Sequence, residues 1–98
     1  MPPRITTIRQ PHRDRYEIIK QILQTVHTRT GGYKSFELAF RCELTWPQFL
    51  RYRDMLVRNK LLIPSHTGRT ELYEIPDKGM RFLKVLAEIE DNLRPASD

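Results

Sequence analysis

Four side chains of one predicted helix have the chemistry to bind a nucleic acid. They are Gln48, Arg51, Tyr52 and Arg58, in and just after the stretch LTWPQFLRYRDML. An arginine can form two hydrogen bonds with guanine O6 and N7, and a glutamine can do the same with adenine. Because Gln48 and Arg51 are three residues apart, they share one face of a helix. The spacing therefore predicts contact with base edges, and the alternative is an ordinary solvated face.

Other side chains could hold phosphates, which fixes a protein on a duplex without reading its sequence. Tyr52 and Thr45 can donate from their hydroxyl groups. Trp46 fits either a core anchor or a phosphate contact, and its spacing favours the core. Further contacts with the nucleic acid are predicted for Lys34, Ser35, Arg41, Arg58, His66 and Arg69.

The charge of the chain is uneven. Its net charge is +5 and its calculated pI is about 9.7. Residues 1–60 contain 12 Lys and Arg against 5 Asp and Glu, whereas residues 61–98 contain 5 against 7. A basic half next to a slightly acidic one indicates an electrostatic face and favours a polyanionic partner. The alternative is a small basic protein with no such partner.

Composition argues against several classes of protein. A length of 98 residues suits one domain with a small core. The sequence contains neither an apolar run long enough for a membrane span nor a secretory signal, so we expect a cytoplasmic protein. Cys42 is alone, and His12, His27 and His66 are scattered. We therefore expect no enzyme, no metal site and no cofactor.

Apolar periodicity predicts a mainly α fold with a small β-hairpin. The expected helices span about 14–28, 35–42, 45–58 and 77–92, and the strands span 61–63 and 71–75 around the turn SHTGRT. Asp14 and Ser35 are expected to cap the first two helices, and Thr45 with Gln48 forms the capping box of the third. Leu38 and Ala39, with Phe36 or Phe40, are expected to face inward.

Several residues depart from these simple patterns. Arg53 lies among apolar neighbours. Either its aliphatic chain extends along them and exposes the guanidinium, or the guanidinium pairs with a carboxylate. Pro64 either limits its strand or places it at an edge. Gly79 weakens the first turn of the last helix locally. Arg13 continues the basic character of the N-terminal arm, residues 1–12, which is expected to be flexible.

The last helix carries apolar residues over an arc of roughly 200°, twice the width that one buried face needs. That width predicts a second apolar contact, most simply with the same helix of a second copy. The alternative is a broad contact within one chain. The residues assigned to dimerisation are Phe82, Val85, Leu86, Ile89 and Leu93. The chain then divides into the arm 1–12, a domain at 13–76, a dimerisation helix at 77–93 and a tail at 94–98.

The predicted order, three helices, a hairpin and a helix, is that of a winged helix-turn-helix. In that architecture the third helix enters the major groove of duplex DNA. The wing, residues 64–70, would then lie on the backbone. We therefore expect double-stranded DNA as the partner.

A longer pattern carries a family resemblance. It consists of Leu44-Thr45-aromatic, Gln48-Phe49, Tyr52, Leu56, Leu61-Leu62, and Tyr73-Glu74-Ile75 before Lys78-Gly79. Over residues 14–93 the chain resembles small archaeal winged-helix DNA-binding proteins, which include predicted transcriptional regulators and small chromatin proteins. The resemblance implies duplex DNA binding by a homodimer. The chain departs from the family pattern at Arg53, where an apolar residue is usual, and at Lys60, where glycine is usual. Because Lys60 replaces the usual glycine, we expect Asn59 to adopt the left-handed backbone conformation.

Two other functions fit the same pattern. A winged helix can serve as a protein-interaction subunit of a transcription or processing complex, which would require an apolar patch on the third helix or the wing. The basic face could also bind structured RNA, because phosphate contacts do not distinguish the two nucleic acids.

Overall fold

The computed structural model describes residues 13–68 and 70–92 of the 98-residue chain. Within them lie a mainly helical fold and a three-stranded antiparallel sheet, in the predicted order. The helices are α1 (Arg15–His27), α2 (Ser35–Arg41), α3 (Trp46–Arg58) and α4 (Asp77–Asn92), and the strands are β1 (Tyr33–Lys34), β2 (Ile63–Thr67) and β3 (Thr70–Glu74). The predicted fold class is thus confirmed. The predictions for the arm 1–12, Arg69, Leu93 and the tail 94–98 lie outside the described residues.

Two helices begin at capping boxes. Before α1, the Asp14 carboxylate accepts the Glu17 N–H at 2.9 Å, and the Glu17 carboxylate accepts the Asp14 N–H at 3.0 Å. Before α3, Thr45 Oγ1 accepts the Gln48 N–H at 3.2 Å, and Gln48 Oε1 accepts the Thr45 N–H at 3.0 Å. Each box satisfies N–H groups that a first helical turn leaves without partners. The predicted caps at Asp14 and Thr45 are confirmed.

The start of α2 differs from its prediction. Lys34 occupies the N-cap position and forms no side-chain capping bond, while Ser35 is the first helical residue. The Ser35 hydroxyl instead donates to the phenol oxygen of Tyr73 at 3.3 Å. The prediction that Ser35 caps α2 is therefore wrong, because a tertiary hydrogen bond uses its hydroxyl.

The sheet has the strand order β1-β3-β2, so β2 is an edge strand. Pro64 lies in β2 opposite Tyr73, and an edge position tolerates its missing N–H. Strand β2 extends to residue 67, and His66 pairs with Glu71 within the ladder. The predicted placement of His66 at the wing tip is therefore wrong. The two-residue strand β1 was not predicted.

The core lies between α1, α2, α3 and the inner side of β3. Tyr73, Phe49 and Ile22 are among its largest fully buried side chains. As predicted, Leu38 and Ala39 face inward. Phe36 and Phe40, one of which was expected there, are both exposed. The expectation is wrong because Leu38 and Ala39, with the neighbouring Cys42, already occupy the inner side of this short helix.

The chain reverses between α3 and β2 through Lys60, whose φ is 60°. Asn59 keeps a φ of −91° and is the C-cap of α3, so the predicted left-handed Asn59 is wrong. Its side-chain amide donates to the Met55 carbonyl at 2.8 Å. At the start of α4, a Cβ on Gly79 would lie 2.4 Å from the Leu61 carbonyl oxygen. The glycine therefore permits a close approach of two backbones.

Helix α4 packs against α1 with only part of its apolar surface. Phe82, Leu83 and Leu86 are half-buried against the core. Val85 and Ile89 are each 49% exposed. None of the described helices is long and apolar enough to cross a membrane.

Candidate nucleic-acid interface

The outward face of α3 consists of Pro47, Arg51, Asp54 and Arg58, all exposed. On the opposite side, Phe49 and Leu56 are fully buried and hold the helix on the core. The outward face spans the helix because these residues recur at intervals of three and four. Two arginines and one aspartate give it a net positive charge.

Tyr52, one of the predicted contact residues, falls at the edge of this outward face on a helical wheel. The structure places it half-buried, with its side chain packed against the core, as is the neighbouring Met55. Tyr52 lies three residues after Phe49 and four before Leu56, so an edge position and partial burial agree. The contact of its hydroxyl with a phosphate stays a prediction.

Gln48 was predicted both to close the capping box and to read adenine. Because its Oε1 accepts the Thr45 N–H at 3.0 Å, that oxygen already has a partner. Bidentate recognition of adenine needs both the oxygen and the amide NH2. The cap uses one of the two lone pairs of this oxygen and fixes the direction of the amide, so both roles are compatible only if the NH2 and the second lone pair point toward the base. The Thr45 hydroxyl accepts within the box, and its O–H can still donate to a phosphate.

Trp46 is anchored to the core and is also partly exposed, so its core role is confirmed and its phosphate contact stays a prediction. Its ring stacks on Phe49 with centroids 5.4 Å apart, which anchors it to the core. Its other neighbour is Phe36, at 5.0 Å. Trp46 is nevertheless 40% exposed, and Phe36 and Phe40 are 76% and 82% exposed. These three side chains form an aromatic patch beside the start of α3, which the sequence analysis did not predict.

The basic residues around α2 are partly paired. Arg29 forms two hydrogen bonds with Glu37, at 2.8 and 2.9 Å, and lies 4.0 Å over the ring of Tyr33. These bonds lower the pKa of Glu37 and raise the pKa of Arg29. Arg41 also reaches Glu37, at 3.6 Å. The predicted contact residue Arg41 thus shares a carboxylate, whereas Lys34 is exposed at the N-cap position.

The depression between α1 and α3 brings a further arginine to the candidate interface. It has a volume of about 290 Å³ and is lined by Arg15, Arg51, Tyr52 and Met55. Arg15 therefore adds to the charge around Arg51. Its position could not be read from spacing, because the two arginines lie on different helices 36 residues apart in the sequence.

Arg13 has a structural role that the sequence did not indicate. Its guanidinium donates to the backbone carbonyls of Cys42 at 2.8 Å and Glu43 at 3.0 Å, and also contacts Gln21. It thereby satisfies carbonyl groups in the turn between α2 and α3. Arg13 braces the helix-turn-helix, although the sequence grouped it with the basic arm.

Arg53 is the second arginine whose role the structure defines. It donates to the phenol oxygen of Tyr73 at 3.2 Å and to Asp54 at 2.9 Å, and lies 3.7 Å from Glu71. The hydrogen bond with Tyr73, followed by that with Asp54, raises the pKa of Arg53. The carboxylate partner that the sequence could not identify is therefore Asp54, with Glu71 nearby. Arg53 connects α3 to the wing and does not belong to the outward face.

At the wing, His66 is exposed and its Nε2 lies 3.9 Å from Glu71. Arg69, the other predicted wing contact, lies outside the described residues. Cys42 is fully buried, and burial raises the pKa of its thiol, so it is not a reactive nucleophile. Within residues 13–68 and 70–92, no three His, Cys, Asp or Glu side chains are grouped so that they could hold a metal ion.

A family model described as winged helix-turn-helix matches residues 12–94. The chain belongs to this family. Among curated proteins, no match was found.

Three solved structures share the winged helix-turn-helix fold. MepR, a transcription regulator of the Staphylococcus aureus multidrug efflux pump MepA, superposes with a TM-score of 0.69 at 17% identity, covering 78% of this chain and 58% of MepR. The transcriptional regulator BldR from Sulfolobus solfataricus superposes with a TM-score of 0.69 at 23% sequence identity. The superposition covers 78% of this chain and 55% of BldR. The transcriptional repressor CouR, bound to a 23-mer DNA duplex, superposes with a TM-score of 0.66 at 21% sequence identity. The superposition covers 76% of this chain and 57% of CouR. This chain spans less than two thirds of each.

Proposed function

We propose that the chain binds double-stranded DNA, with α3 in the major groove and the wing, residues 64–70, on the adjacent backbone. The observation that carries the proposal is the outward face of α3, where Arg51 and Arg58 are exposed on the helix that enters the groove in this fold. Buried Phe49 and Leu56 on the other side hold that face toward solvent.

The proposed roles follow from the chemistry of each side chain. Arg51 reads a base edge, with guanine the preferred partner of its planar guanidinium. Arg58, on the same face, binds phosphate. Arg15 strengthens the positive potential beside Arg51, with which it lines one depression. Gln48 contributes from the orientation that the cap gives its amide, because its oxygen already accepts the Thr45 N–H.

The remaining proposed contacts lie around this centre. They position the duplex through phosphates and sugars, as most contacts do in protein–DNA complexes. Among the basic residues around α2, Lys34 is exposed at the N-cap position, whereas Arg41 shares Glu37 with Arg29. The proposed contacts besides Lys34 are Ser35, Arg41, Thr45, Trp46, Tyr52, His66 and Arg69.

The proposed biological role is transcription regulation, with a small chromatin protein as the other form of the same activity. The family and the names of MepR, BldR and CouR support it. MepR has also been solved as a DNA complex, with a TM-score of 0.67 to this chain. The protein would act where the genome is, in the cytoplasm, as a binding protein without enzymatic activity.

A homodimer is part of the proposal. Val85 and Ile89 on α4 are each half exposed, four residues apart on one helical face. The same face of a second copy can cover them in a two-fold contact. A dimer would present two α3 helices to two half-sites of a duplex.

One observation favours a second function. The aromatic patch of Phe36, Phe40 and Trp46 is an apolar surface of the kind that marks protein contacts. It supports the alternative of a protein-interaction subunit in a transcription or processing complex. The patch adjoins α3 but the outward face of α3 itself is charged, which favours the DNA proposal.

Fluorescence anisotropy with matched duplexes tests the proposal. A labelled DNA duplex and an RNA duplex of the same sequence are titrated with the protein at low salt. The proposal predicts tighter binding to DNA, because the deep, narrow major groove of A-form RNA does not admit α3. Equal binding to both would favour an unspecific polyanion interaction, and the absence of binding to either would favour the protein-interaction alternative.

A further inference from the structure

The aromatic patch contains two phenylalanines that the protein core does not use. Phe36 and Phe40 are 76% and 82% exposed and lie four residues apart on α2. Of the two, only Phe36 contacts another exposed ring in the described part of the chain. That ring belongs to Trp46, with centroids 5.0 Å apart and planes inclined by 42°. The two phenylalanines therefore differ in their position relative to α3.

One member of the pair formed by Phe36 and Trp46, the indole of Trp46, is fixed to the core. Trp46 stacks on Phe49 at 5.4 Å with an interplanar angle of 27°, and Phe49 is fully buried. Phe49 in turn contacts the buried ring of Tyr73 edge-on at 6.1 Å. A ring held in this way loses little conformational freedom when it meets a ligand. Trp46 is thus a rigid apolar surface, and Phe36 packs on it.

This surface lies where α3 begins. Trp46 is the first residue of α3, and the N-terminal residues of this helix are those that meet base edges in the fold. Lys34, the N-cap residue of α2 two positions before Phe36, is exposed. An apolar surface at the start of the groove-facing helix matches a ligand that presents an apolar group on a base edge.

We infer that the ring pair of Phe36 and Trp46 contacts thymine methyl groups in the major groove of the duplex that α3 binds. The inference rests on the proposed function. The thymine 5-methyl group is the apolar feature that base pairs present in the major groove, and aromatic side chains are among those that contact it. Phe36 has no side-chain donor or acceptor, so it can recognise a base edge only through such a contact.

The inference assigns a chemical preference to the interface. Uracil lacks the methyl group, so the pair distinguishes thymine from uracil at positions where Arg51 cannot. It adds A·T recognition at the start of α3 to the guanine recognition proposed for Arg51. DNA would then be preferred over RNA for a reason besides groove shape.

The test uses two pools of random duplex DNA that are copied from the same templates. One pool is prepared with deoxythymidine triphosphate and the other with deoxyuridine triphosphate. Binding of both pools is measured by anisotropy for the wild type, Phe36→Ala and Phe40→Ala. Phe40 is the matched control, because it is the same residue type on the same helix and at least as exposed. Circular dichroism confirms that the variants are folded, as expected for exposed positions.

The inference predicts that the wild type binds the uracil pool roughly threefold to fivefold more weakly for each thymine methyl group that the ring pair would otherwise bury. Phe36→Ala should bind both pools equally, and Phe40→Ala should keep the wild-type preference. Effects of uracil on DNA shape cancel when the thymine-to-uracil affinity ratio of each variant is divided by that of the wild type.

Three results would overturn the inference. Equal binding of the wild type to the two pools would contradict the thymine contact and leave the proposal of DNA binding intact. An undiminished thymine preference in Phe36→Ala would show that the ring pair is not its source. Wild-type binding to neither pool would overturn the proposed function and this inference with it.

Discussion

The guanidinium of Arg53 on α3 donates a hydrogen bond to the phenol oxygen of Tyr73 on β3, over a distance of 3.2 Å. The same oxygen accepts from Ser35 at 3.3 Å and donates to Glu71 at 2.7 Å. One buried hydroxyl therefore connects α2, α3 and the wing. Burial, the largest influence, raises the pKa of Tyr73, so the phenol stays neutral through the physiological range.

Replacing Tyr73 with Phe removes this connection and keeps the ring. We expect a loss of about 1 kcal/mol in the free energy of unfolding, the usual contribution of a buried hydrogen bond. Urea denaturation followed by circular dichroism measures it. Tyr16→Phe is the control, because Tyr16 is exposed. Equal stability of the two variants would show that the hydroxyl does not contribute to the junction.

The junction between β3 and α4 depends on Gly79. A Cβ there would lie 2.4 Å from the Leu61 carbonyl oxygen and 2.8 Å from Ile75. We expect Gly79→Ala to destabilise the protein by about 1–3 kcal/mol, the usual effect of overpacking. In Gly31→Ala nothing lies within 4 Å of the new Cβ, so its midpoint in urea should stay near that of the wild type. A near-neutral Gly79→Ala would contradict the close approach.

Lys60 occupies the left-handed region with a φ of 60°. A non-glycine residue there is strained by roughly 1 kcal/mol, so Lys60→Gly should stabilise the protein by up to about that amount. Asn59→Gly should destabilise it, because φ at this residue is −91° and the side chain caps α3. Thermal unfolding of both variants measures whether each change raises or lowers the stability of the protein. A destabilised Lys60→Gly would mean that the lysine side chain outweighs the backbone strain.

The exposed side of α4 is the proposed dimer contact. Ile89→Asp places a charge on it and should convert a dimer to a monomer in light scattering, because an unpaired charge is unfavourable in an apolar contact. Asn92→Asp adds the same charge to the same helix at an exposed polar position and should leave the mass unchanged. A monomeric wild type, or a dimer that survives Ile89→Asp, would contradict this contact.

Local signals in the sequence predicted most of the fold. The pairs Asp14–Glu17 and Thr45–Gln48 sit at the spacing of a capping box and act within one turn, so the starts of α1 and α3 followed directly. The order of elements followed from the apolar periodicity. The two-residue strand β1 did not, because it forms only through pairing with β3, far along the chain.

The candidate site was less predictable, because it depends on contacts between distant segments. The pairing of Arg53 with Tyr73 spans 20 residues, and that of Arg13 with Cys42 spans 29. The exposed Phe36 and Phe40 lie on a helix of 7 residues, which is too short for periodicity to distinguish its faces. Gln48 was predicted both to cap α3 and to read adenine, and the orientation that the cap gives its amide could not be derived from the spacing.

The most direct test of the central claim is anisotropy on random duplex DNA across a salt series, with wild type, Arg51→Ala and Lys84→Ala. Lys84 is the control because it is an exposed cation on α4. The account predicts that log affinity falls linearly with log salt and that Arg51→Ala weakens binding by about 1–3 kcal/mol, far more than Lys84→Ala. No binding at low salt, or equal effects of the two substitutions, would contradict the placement of α3 on DNA.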